Sequence, residues 1–364
     1  MSRFEERRQR LIGLLNDANA EALLVTNFTN VTYLTGFTGD DSYLLVSPRE
    51  TVIISDFRYV EQLAGECPDL RTQIRTTAVK MPDAVVEVIG SAKVGRLGIE
   101  ADSLTISLYN YLTGQLPKIA VHPTTGLVEQ LREIKDADEI AELRRAIACA
   151  EQSFDALRAK LHRDRTEKEL ADELDHHMRL LGAQRSSFPT IVAAGPRAAL
   201  PHARPTADPI GNAELVLVDW GAVCGHYSSD LTRVLVTAKI SPKLEQIYRL
   251  VLKAQRRAID AVAPGKTGRQ IDAVAREVIH SGGHGEHFGH GLGHGIGLDV
   301  HEGPRVAVTN DKPLKAGMVV TIEPGIYLPG WGGIRIEDDV LVTETGHEVL
   351  THCPKELAEA VVEL

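Results

Sequence analysis

Three histidines stand among glycines in the segment 288–304, which reads FGHGLGHGIGLDVHEGP. They are His290, His294 and His301. Histidine titrates near neutral pH and is the commonest metal ligand, and glycine allows backbone conformations that other residues avoid. The pattern therefore predicts a site in which an irregular backbone directs imidazoles towards one point. A flexible histidine-rich loop would give the same pattern, so carboxylates elsewhere in the chain decide between the two readings.

A first pair of carboxylates flanks a candidate β-hairpin. Asp219 ends the apolar run 215–219, and Asp230 begins a second strand-like run after a turn. We expect a two-residue turn at Cys224 and Gly225, which would place Asp219 directly opposite Asp230 on one face. Opposed residues of an antiparallel pair have Cβ atoms roughly 4.5–5.5 Å apart, and two buried carboxylates at that distance repel each other. Two divalent ions about 3.5–4 Å apart would remove the conflict.

A second pair follows the same logic. Glu323 ends the apolar run 318–323, and a hairpin centred on Gly330 would place it opposite Glu337. Arg335 precedes Glu337 by two residues, so a strand would present both on one face. A solvated surface charge is the ordinary reading of any single carboxylate, but carboxylates that end apolar runs are rarely buried unpaired. Four of them with nearby imidazoles predict an oxygen-rich site for two metal ions.

Composition limits the classes of protein that the chain can belong to. Its 364 residues favour two domains, and its net charge of −10 without any basic block argues against nucleic acid as a partner. No apolar run has the length of a membrane span, and the charged N-terminus lacks the apolar stretch of a signal peptide. The four scattered cysteines predict buried thiols in a reducing compartment, so we expect a cytoplasmic protein. These cysteines are Cys67, Cys149, Cys224 and Cys353.

The order of patterns along the chain predicts two different domains. A helix at about 3–19, followed by alternating strand-like and helical runs, favours an α/β domain over residues 1–130. A long helix with a capping pattern begins near Lys135 and continues to about Leu161. Residues 131–364 then place helices between antiparallel strand pairs, which predicts an α+β domain. The segment 264–267 ends like a phosphate-binding loop but lacks the required earlier glycine, so it should end one helix and begin another.

Several motifs together resemble those of the "pita-bread" metallopeptidases, and within them the aminopeptidase P and Xaa-Pro dipeptidase (prolidase) branch. These motifs are Val218-Asp-Trp-Gly-Ala, Ser229-Asp-Leu-Thr-Arg, the glycine-histidine run 289–297, Thr321-Ile-Glu-Pro-Gly and Arg335-Ile-Glu-Asp. Tyr33-Leu-Thr-Gly-Phe and Asp56-Phe-Arg-Tyr are similar to the creatinase/prolidase-type N-terminal domain, so the resemblance covers the whole chain. It implies a smaller α/β domain followed in the sequence by a pita-bread catalytic domain. It also implies hydrolysis of small peptides at the bond between the first residue and proline, and a homodimer.

The resemblance also implies a set of metal ligands. Asp219 would bind one ion, Asp230 and Glu337 would bridge both, and His294 and Glu323 would hold the second. A ligand set made mostly of carboxylates favours two Mn²⁺ ions per subunit, although Co²⁺ or Zn²⁺ could also occupy it. No residue is expected to bind an organic cofactor.

Five residues would serve the reaction itself. His202 matches the family's substrate-side histidine, and His301 matches the histidine that stabilises the tetrahedral intermediate. Glu323 could carry a proton to the leaving nitrogen, while His290 and Arg335 match supporting positions.

Some questions stay open from the sequence. A creatinase-like amidinohydrolase without metal, or a non-catalytic peptide-binding member of the fold, remains an alternative, and the complete ligand set counts against both. The sequence does not separate dipeptide substrates from longer peptides, and it does not identify the preferred first residue or the physiological metal. Arg305 could bind the carboxylate of a substrate proline or could be an ordinary surface cation.

Overall fold

The computed structural model describes residues 2–237 and 239–363. They form two compact units, one ending at Arg132 and the other beginning at Glu133. Within the part of the chain that the structure describes, no helix combines the length and the apolar character needed to cross a membrane.

The N-terminal unit is built around a mixed six-stranded sheet. Its helices are α1 (Arg3–Leu15), α2 (Phe28–Thr35), α3 (Val60–Glu66), α4 (Met81–Ser91), α5 (Ile106–Gln115) and α6 (Glu129–Arg132). Its strands are β1 (Ala22–Val25), β2 (Tyr43–Val46), β3 (Thr51–Asp56), β4 (Arg71–Arg75), β5 (Arg96–Glu100) and β6 (Ala120–Thr124), in the spatial order β4-β3-β2-β1-β5-β6. Strand β2 pairs antiparallel with both neighbours, and the outer pairings are parallel.

The C-terminal unit has four long helices and thirteen short strands among its described residues. The helices are α7 (Ala137–Arg158), α8 (Glu167–Leu180), α9 (Pro242–Asp260) and α10 (Gly268–Ser281). The strands are β7 (Arg185–Ser186), β8 (Ile191–Ala194), β9 (Leu215–Trp220), β10 (Ala222–Cys224), β11 (Tyr227–Ser228), β12 (Leu231–Val236), β13 (Gly293–Gly295), β14 (Glu302–Val306), β15 (Val319–Ile322), β16 (Gly325–Leu328), β17 (Gly332–Arg335), β18 (Asp338–Val342) and β19 (His347–Val349). All their pairings are antiparallel, which confirms the α+β prediction.

Two apolar clusters lie on opposite faces of the β9–β12 pair. Val216 and Val218 of β9 pack into a cluster with α7 and α8, whereas Leu215 and Leu217 pack into a cluster with α9 and α10. Successive side chains of a strand point to opposite faces, so an unbroken apolar run is what a strand between two helix layers requires. Asp219 continues the face of Leu215 and Leu217, and its carboxylate therefore lies on the α9–α10 side of the strand.

Side-chain caps set where the helices of this unit begin. Asp136 and Glu139 form a capping box at the start of α7, and Thr166 and Glu169 do the same for α8. Each box satisfies backbone N–H groups that have no partner inside the helix. Thr267 caps α10 in the same way, so the segment 264–267 does separate two helices, as predicted. The predicted first helix was too long, because α1 ends at Leu15.

The predicted register of the first hairpin was wrong by two residues. Asp219 pairs with Thr232 rather than Asp230, and the turn is formed by Gly225 and His226, both at positive φ. A two-residue turn of this kind requires positive φ at both central positions, which histidine seldom adopts. The shift leaves Asp219 and Asp230 on one face, since a displacement by two residues preserves the alternation of side chains.

The predicted register of the second hairpin is confirmed. Strands β16 and β17 pair through a short loop at residues 329–331, and the pairing of β15 with β18 continues in the same register. Glu323 lies between β15 and β16, and Glu337 lies between β17 and β18. Both residues therefore sit between the two ladders and stand opposite each other.

Candidate metal centre

Four carboxylates and a histidine converge in the C-terminal unit. Ligand atoms of Asp219, Asp230 and Glu337 lie within 4.8 Å of one another, and those of His294, Glu323 and Glu337 form a second such group. Glu337 belongs to both groups, so the two candidate metal positions share this ligand. A third group joins Asp230 and His294 to His301, which places Asp230 beside both positions as well.

His294 is held by glycines on both sides. A Cβ atom at Gly293 would overlap the carbonyl oxygen of Thr321, and one at Gly295 would overlap that of Gly303. Only glycine therefore allows the strand bearing His294 to pack this closely between its neighbours. This close packing of backbones explains the glycines at 293 and 295.

The imidazole of His294 is oriented for a ligand. Its Nδ1 lies 3.0 Å from the carbonyl oxygen of Gly295 and donates to it, which leaves Nε2 as the acceptor. Nε2 lies 3.6 Å from Asp230 and 3.5 Å from Glu323. Burial lowers the pKa of His294 to about 3, so the ring stays neutral at physiological pH, which is the form that binds metals.

Burial disfavours the ionised forms of the four carboxylates. Burial, followed by repulsion from neighbouring carboxylates, raises the pKa values of Asp230 and Glu337 well above the usual range, and burial raises that of Glu323 to about 8. Burial also raises the pKa of Asp219, against the opposing effect of Arg335. Divalent cations between these groups would stabilise their ionised forms.

One oxygen of Asp219 gives a direct indication of a missing partner. Its Oδ2 accepts a hydrogen bond of 2.5 Å from Arg335, but its Oδ1 is buried and has no hydrogen-bond partner. A buried acceptor without a partner costs about 1–3 kcal/mol. The donor set, four carboxylates with one available imidazole nitrogen, fits divalent ions that prefer oxygen ligands.

Arg335 lies behind the carboxylates and binds three groups. Besides Asp219, it donates to the hydroxyl of Thr232 at 3.1 Å and to that of Tyr327 at 2.8 Å. The Thr232 hydroxyl donates in turn to Glu337 at 2.5 Å, and the Tyr327 hydroxyl lies 2.9 Å from Nε2 of His290. His290 therefore contacts the carboxylates only through Tyr327 and Arg335.

Thr232 and Tyr327 are the contributors that sequence reasoning missed. Thr232 follows Asp230 by two residues, and Tyr327 follows Glu323 by four. The alternation of side chains along a strand places residues at even separations on one face, so this periodicity could have identified both.

The centre forms one wall of a cavity of about 580 Å³ that His202 and His301 also line. The imidazole of His301 meets that of His294 edge to face, with ring centroids 4.4 Å apart. Burial, and next the positive charge of Arg305, lowers the pKa of His301. Arg204 and Arg305 line the same cavity with exposed side chains. Every residue that the sequence singled out for this site therefore borders one cavity.

Fold and site together define an α+β domain with a candidate metal centre of carboxylates and imidazoles. Residues 141–344 match the metallopeptidase family M24, and residues 7–134 match the creatinase/prolidase N-terminal domain. The chain belongs to metallopeptidase family M24. The predicted family and its pita-bread fold are thereby confirmed.

Similar proteins span essentially the whole chain. An uncharacterized peptidase of Bacillus subtilis is 37% identical over 349 residues, covering 96% of this chain and 98% of its own. The Xaa-Pro dipeptidase of Pyrococcus furiosus is 34% identical over 355 residues, with 97% and 100% covered. Among solved structures, the Xaa-Pro dipeptidase from Bacillus anthracis is 39% identical with a TM-score of 0.95, covering 99% of this chain and 100% of that one. The X-Pro aminopeptidase from Thermotoga maritima is 35% identical with a TM-score of 0.90, with 98% and 100% covered.

Proposed function

We propose that the protein is an exopeptidase that hydrolyses the peptide bond between an N-terminal residue and proline. The observation that carries this proposal is the pair of ligand groups that share Glu337 on the wall of one cavity. Such a pair suits hydrolysis by two metal ions. The relatives named for Xaa-Pro dipeptidase and X-Pro aminopeptidase activity support the choice of substrate.

Two divalent ions per subunit complete the proposed centre, and manganese suits its ligands best. Asp219 would hold one ion, and His294 and Glu323 would hold the other. Asp230 and Glu337 would serve both, which agrees with the fact that each shares one ligand group with Asp219 and another with His294. When bound, the ions supply Lewis acidity that lowers the pKa of water and polarises the scissile carbonyl.

The side chains of the chain supply the remaining chemistry. Glu323 is partly exposed to the cavity, and its carboxylate can accept a proton from the attacking water and deliver it to the leaving nitrogen. The N–H of His301 donates to the oxygen of the carbonyl as negative charge develops there. His202 contacts the substrate on the side of the leaving proline. Arg335, which binds Tyr327, holds the carboxylate of Asp219 in place and favours its ionised form.

The ends of the substrate are recognised by opposite charges. The carboxylates of the centre attract the free α-ammonium group of the first residue, which limits cleavage to the N-terminal bond. Arg305, on the same cavity, is suited to pair with the carboxylate of a C-terminal proline. A cavity of about 580 Å³ suits a small peptide rather than a folded chain.

We further propose that an N-terminal domain spans residues 1–130 and that the catalytic domain follows it in the sequence, over residues 131–364. We also propose that the protein is a cytoplasmic homodimer. Four free, buried cysteines are consistent with a reducing compartment. The proposed N-terminal domain includes none of the proposed metal ligands, so its expected role is to restrict access to the active site of the partner subunit. Light scattering that gives the mass of a monomer for a fully active protein would refute the dimer.

A hydrolysis assay tests the proposal most directly. Protein reconstituted with Mn²⁺ is incubated with Ala-Pro, Ala-Pro-Ala and Ala-Ala, and released alanine is measured. We expect cleavage before proline that is abolished by chelation and restored by Mn²⁺. Absence of turnover with both proline peptides, in protein that binds metal, would refute it and favour a non-catalytic member of the fold.

A further inference from the structure

Glu167, the first residue of α8, is a buried carboxylate that contacts none of the candidate ligands. Its side chain is 1% exposed, and the carboxylate accepts hydrogen bonds from three residues of one segment. Oε1 accepts from the backbone N–H of Ala194 at 2.9 Å, and both oxygens accept from Nε of Arg197 at 3.0 and 2.9 Å. Oε2 also accepts from the backbone N–H and the hydroxyl of Thr206, at 3.0 and 3.1 Å.

These bonds bring the two ends of one loop together. Ala194 is the last residue of β8, and Thr206 lies twelve residues further along the chain. The backbone of α8 adds two contacts at the same place, since the N–H of Glu167 donates to Asp208 at 3.2 Å and that of Lys168 donates to Thr206 at 2.9 Å. The first turn of α8 therefore closes the loop 194–206, which we call the histidine loop because it carries His202.

Arg197 extends this closure into the middle of the histidine loop. While Nε binds Glu167, Nη2 donates to the carbonyl oxygen of Arg204 at 2.6 Å. The carbonyl that it binds belongs to the second residue after His202. A short turn on the other side, in which Ala203 N–H donates to the carbonyl of Leu200 at 3.1 Å, fixes the backbone around His202 itself.

We propose that Glu167 is a positioning residue that holds His202 at the wall of the cavity. The imidazole of His202 is exposed and borders the cavity, so its own packing does not fix its position. The carboxylate of Glu167 accepts a backbone N–H at each end of the histidine loop, from Ala194 and from Thr206, and these bonds supply that constraint. The positioning role rests on the proposed function, because it requires His202 to act on a bound peptide.

The test is a double-mutant cycle between Glu167→Gln and His202→Ala in the full-length manganese enzyme with Ala-Pro as substrate. Glutamine keeps the size of the side chain but removes the charge and one acceptor. A displacement of about 1 Å at a catalytic group can cost roughly hundredfold in rate, so we expect Glu167→Gln to lower kcat/KM by roughly tenfold or more. Manganese content should stay at the wild-type value.

The decisive measurement is the same substitution in the His202→Ala background. There the imidazole that Glu167 positions is gone, so Glu167→Gln should lower kcat/KM by a further factor of about three at most, since residues acting as one unit are not additive. Glu100→Gln is the matched control, because Glu100 is also a buried carboxylate that accepts backbone N–H groups, those of Thr26 and Asn27. It should leave kcat/KM unchanged.

Each other outcome overturns the positioning role. If Glu167→Gln lowers kcat/KM as strongly in the His202→Ala background as in the wild type, Glu167 does not act through His202. If Glu167→Gln alone has the wild-type kcat/KM, Glu167 has no positioning role. Absence of Ala-Pro hydrolysis by the wild-type protein would refute the proposed function as well, which distinguishes the two failures. If Glu167→Gln does not fold, Arg197→Lys replaces it in the cycle with the same expectations, since lysine cannot bridge Glu167 and the Arg204 carbonyl.

Discussion

Asp219 and Arg335 form a buried ion pair in which one carboxylate oxygen is bound at 2.5 Å and the other has no protein partner. The pair separates the two tasks of this carboxylate. The arginine favours the ionised form of Asp219 and so opposes the rise in pKa that burial causes. The second oxygen is left available to a ligand.

This arrangement predicts that the two aspartates differ in their effect on metal content. Asp230→Ala should weaken the binding of both ions, because Asp230 shares one ligand group with Asp219 and another with His294, whereas Asp219→Ala should weaken chiefly one. Elemental analysis of each variant, after reconstitution in excess Mn²⁺ and removal of free metal, gives the stoichiometry. An Asp230→Ala variant that retains two ions per chain would remove this residue from the centre.

We expect His301→Ala to lower kcat far more than it lowers metal content. Loss of a donor to a developing oxyanion costs about 2.7–4 kcal/mol, or roughly a hundred- to a thousandfold in kcat. Steady-state kinetics and metal analysis on the same preparation separate the possibilities. Because ligand atoms of His301, His294 and Asp230 lie within 4.8 Å of one another, loss of one ion in this variant would instead identify His301 as a ligand.

Proline after the scissile bond should be preferred over alanine by roughly ten- to a hundredfold in kcat/KM. A prolyl bond has no amide N–H, so a cavity shaped for it offers that position no acceptor. An alanine peptide would bury an unpaired N–H at a cost of about 1–3 kcal/mol. The comparison uses Ala-Pro-Ala and Ala-Ala-Ala. Equal values for the two would describe a general metallo-aminopeptidase better.

Arg305→Gln should reduce activity on Ala-Pro more than on Ala-Pro-amide. If the guanidinium pairs with the carboxylate of the substrate, its removal costs about 1.5–3 kcal/mol, as for hydrogen bonds to charged groups, and only the free acid is affected. The ratio of kcat/KM values for the two substrates is the measurement, and Arg204→Gln, on the same cavity, is the comparison variant. An unchanged ratio in the Arg305 variant would make this residue an ordinary surface cation.

Trp220→Phe should destabilise the catalytic unit by about 1–3 kcal/mol. The indole stacks on Phe154 with ring centroids 4.2 Å apart, and its N–H donates to the carbonyl of Ala150 at 2.9 Å. Phenylalanine would lose this hydrogen bond and part of the stacked ring area, although the carbonyl of Ala150 keeps its partner inside α7. Trp331→Phe is the control, because Trp331 is partly exposed, packs at the margin of the α9–α10 cluster and has Lys243 over its ring, an interaction worth about 1 kcal/mol or less. Chemical denaturation should give the Trp220 variant a free energy of unfolding well below that of the control.

The sequence predicted which residues lie together at one cavity better than it predicted their pairing. Asp219 and Asp230 were assigned to one face although their register was wrong, because a displacement by two residues preserves the face. The error arose at His226, whose positive φ no local pattern indicates. The Glu323 and Glu337 register was correct because the glycine and proline of the 329–331 loop mark the centre of that hairpin.

Contacts between distant segments were beyond sequence reasoning. Glu167 is the first residue of α8, but its bonds to Ala194, Arg197 and Thr206 depend on how a loop folds back over that helix. The shared hydroxyl of Thr232, between Arg335 and Glu337, is of the same kind. Local patterns report the element to which a residue belongs, and only tertiary packing decides which of its atoms acquire partners.

The two ladders on either side of Glu323 and Glu337 keep one register, and this has a consequence for how the family can vary. The β15–β18 ladder alone is sufficient to hold the two glutamates opposite each other. Residues 329–331 can therefore lengthen or shorten without displacing either carboxylate. An insertion between Ile322 and Gly325 would instead turn Glu323 away from its partner. We therefore expect relatives to vary in length at the tip of this hairpin and not at its midpoint.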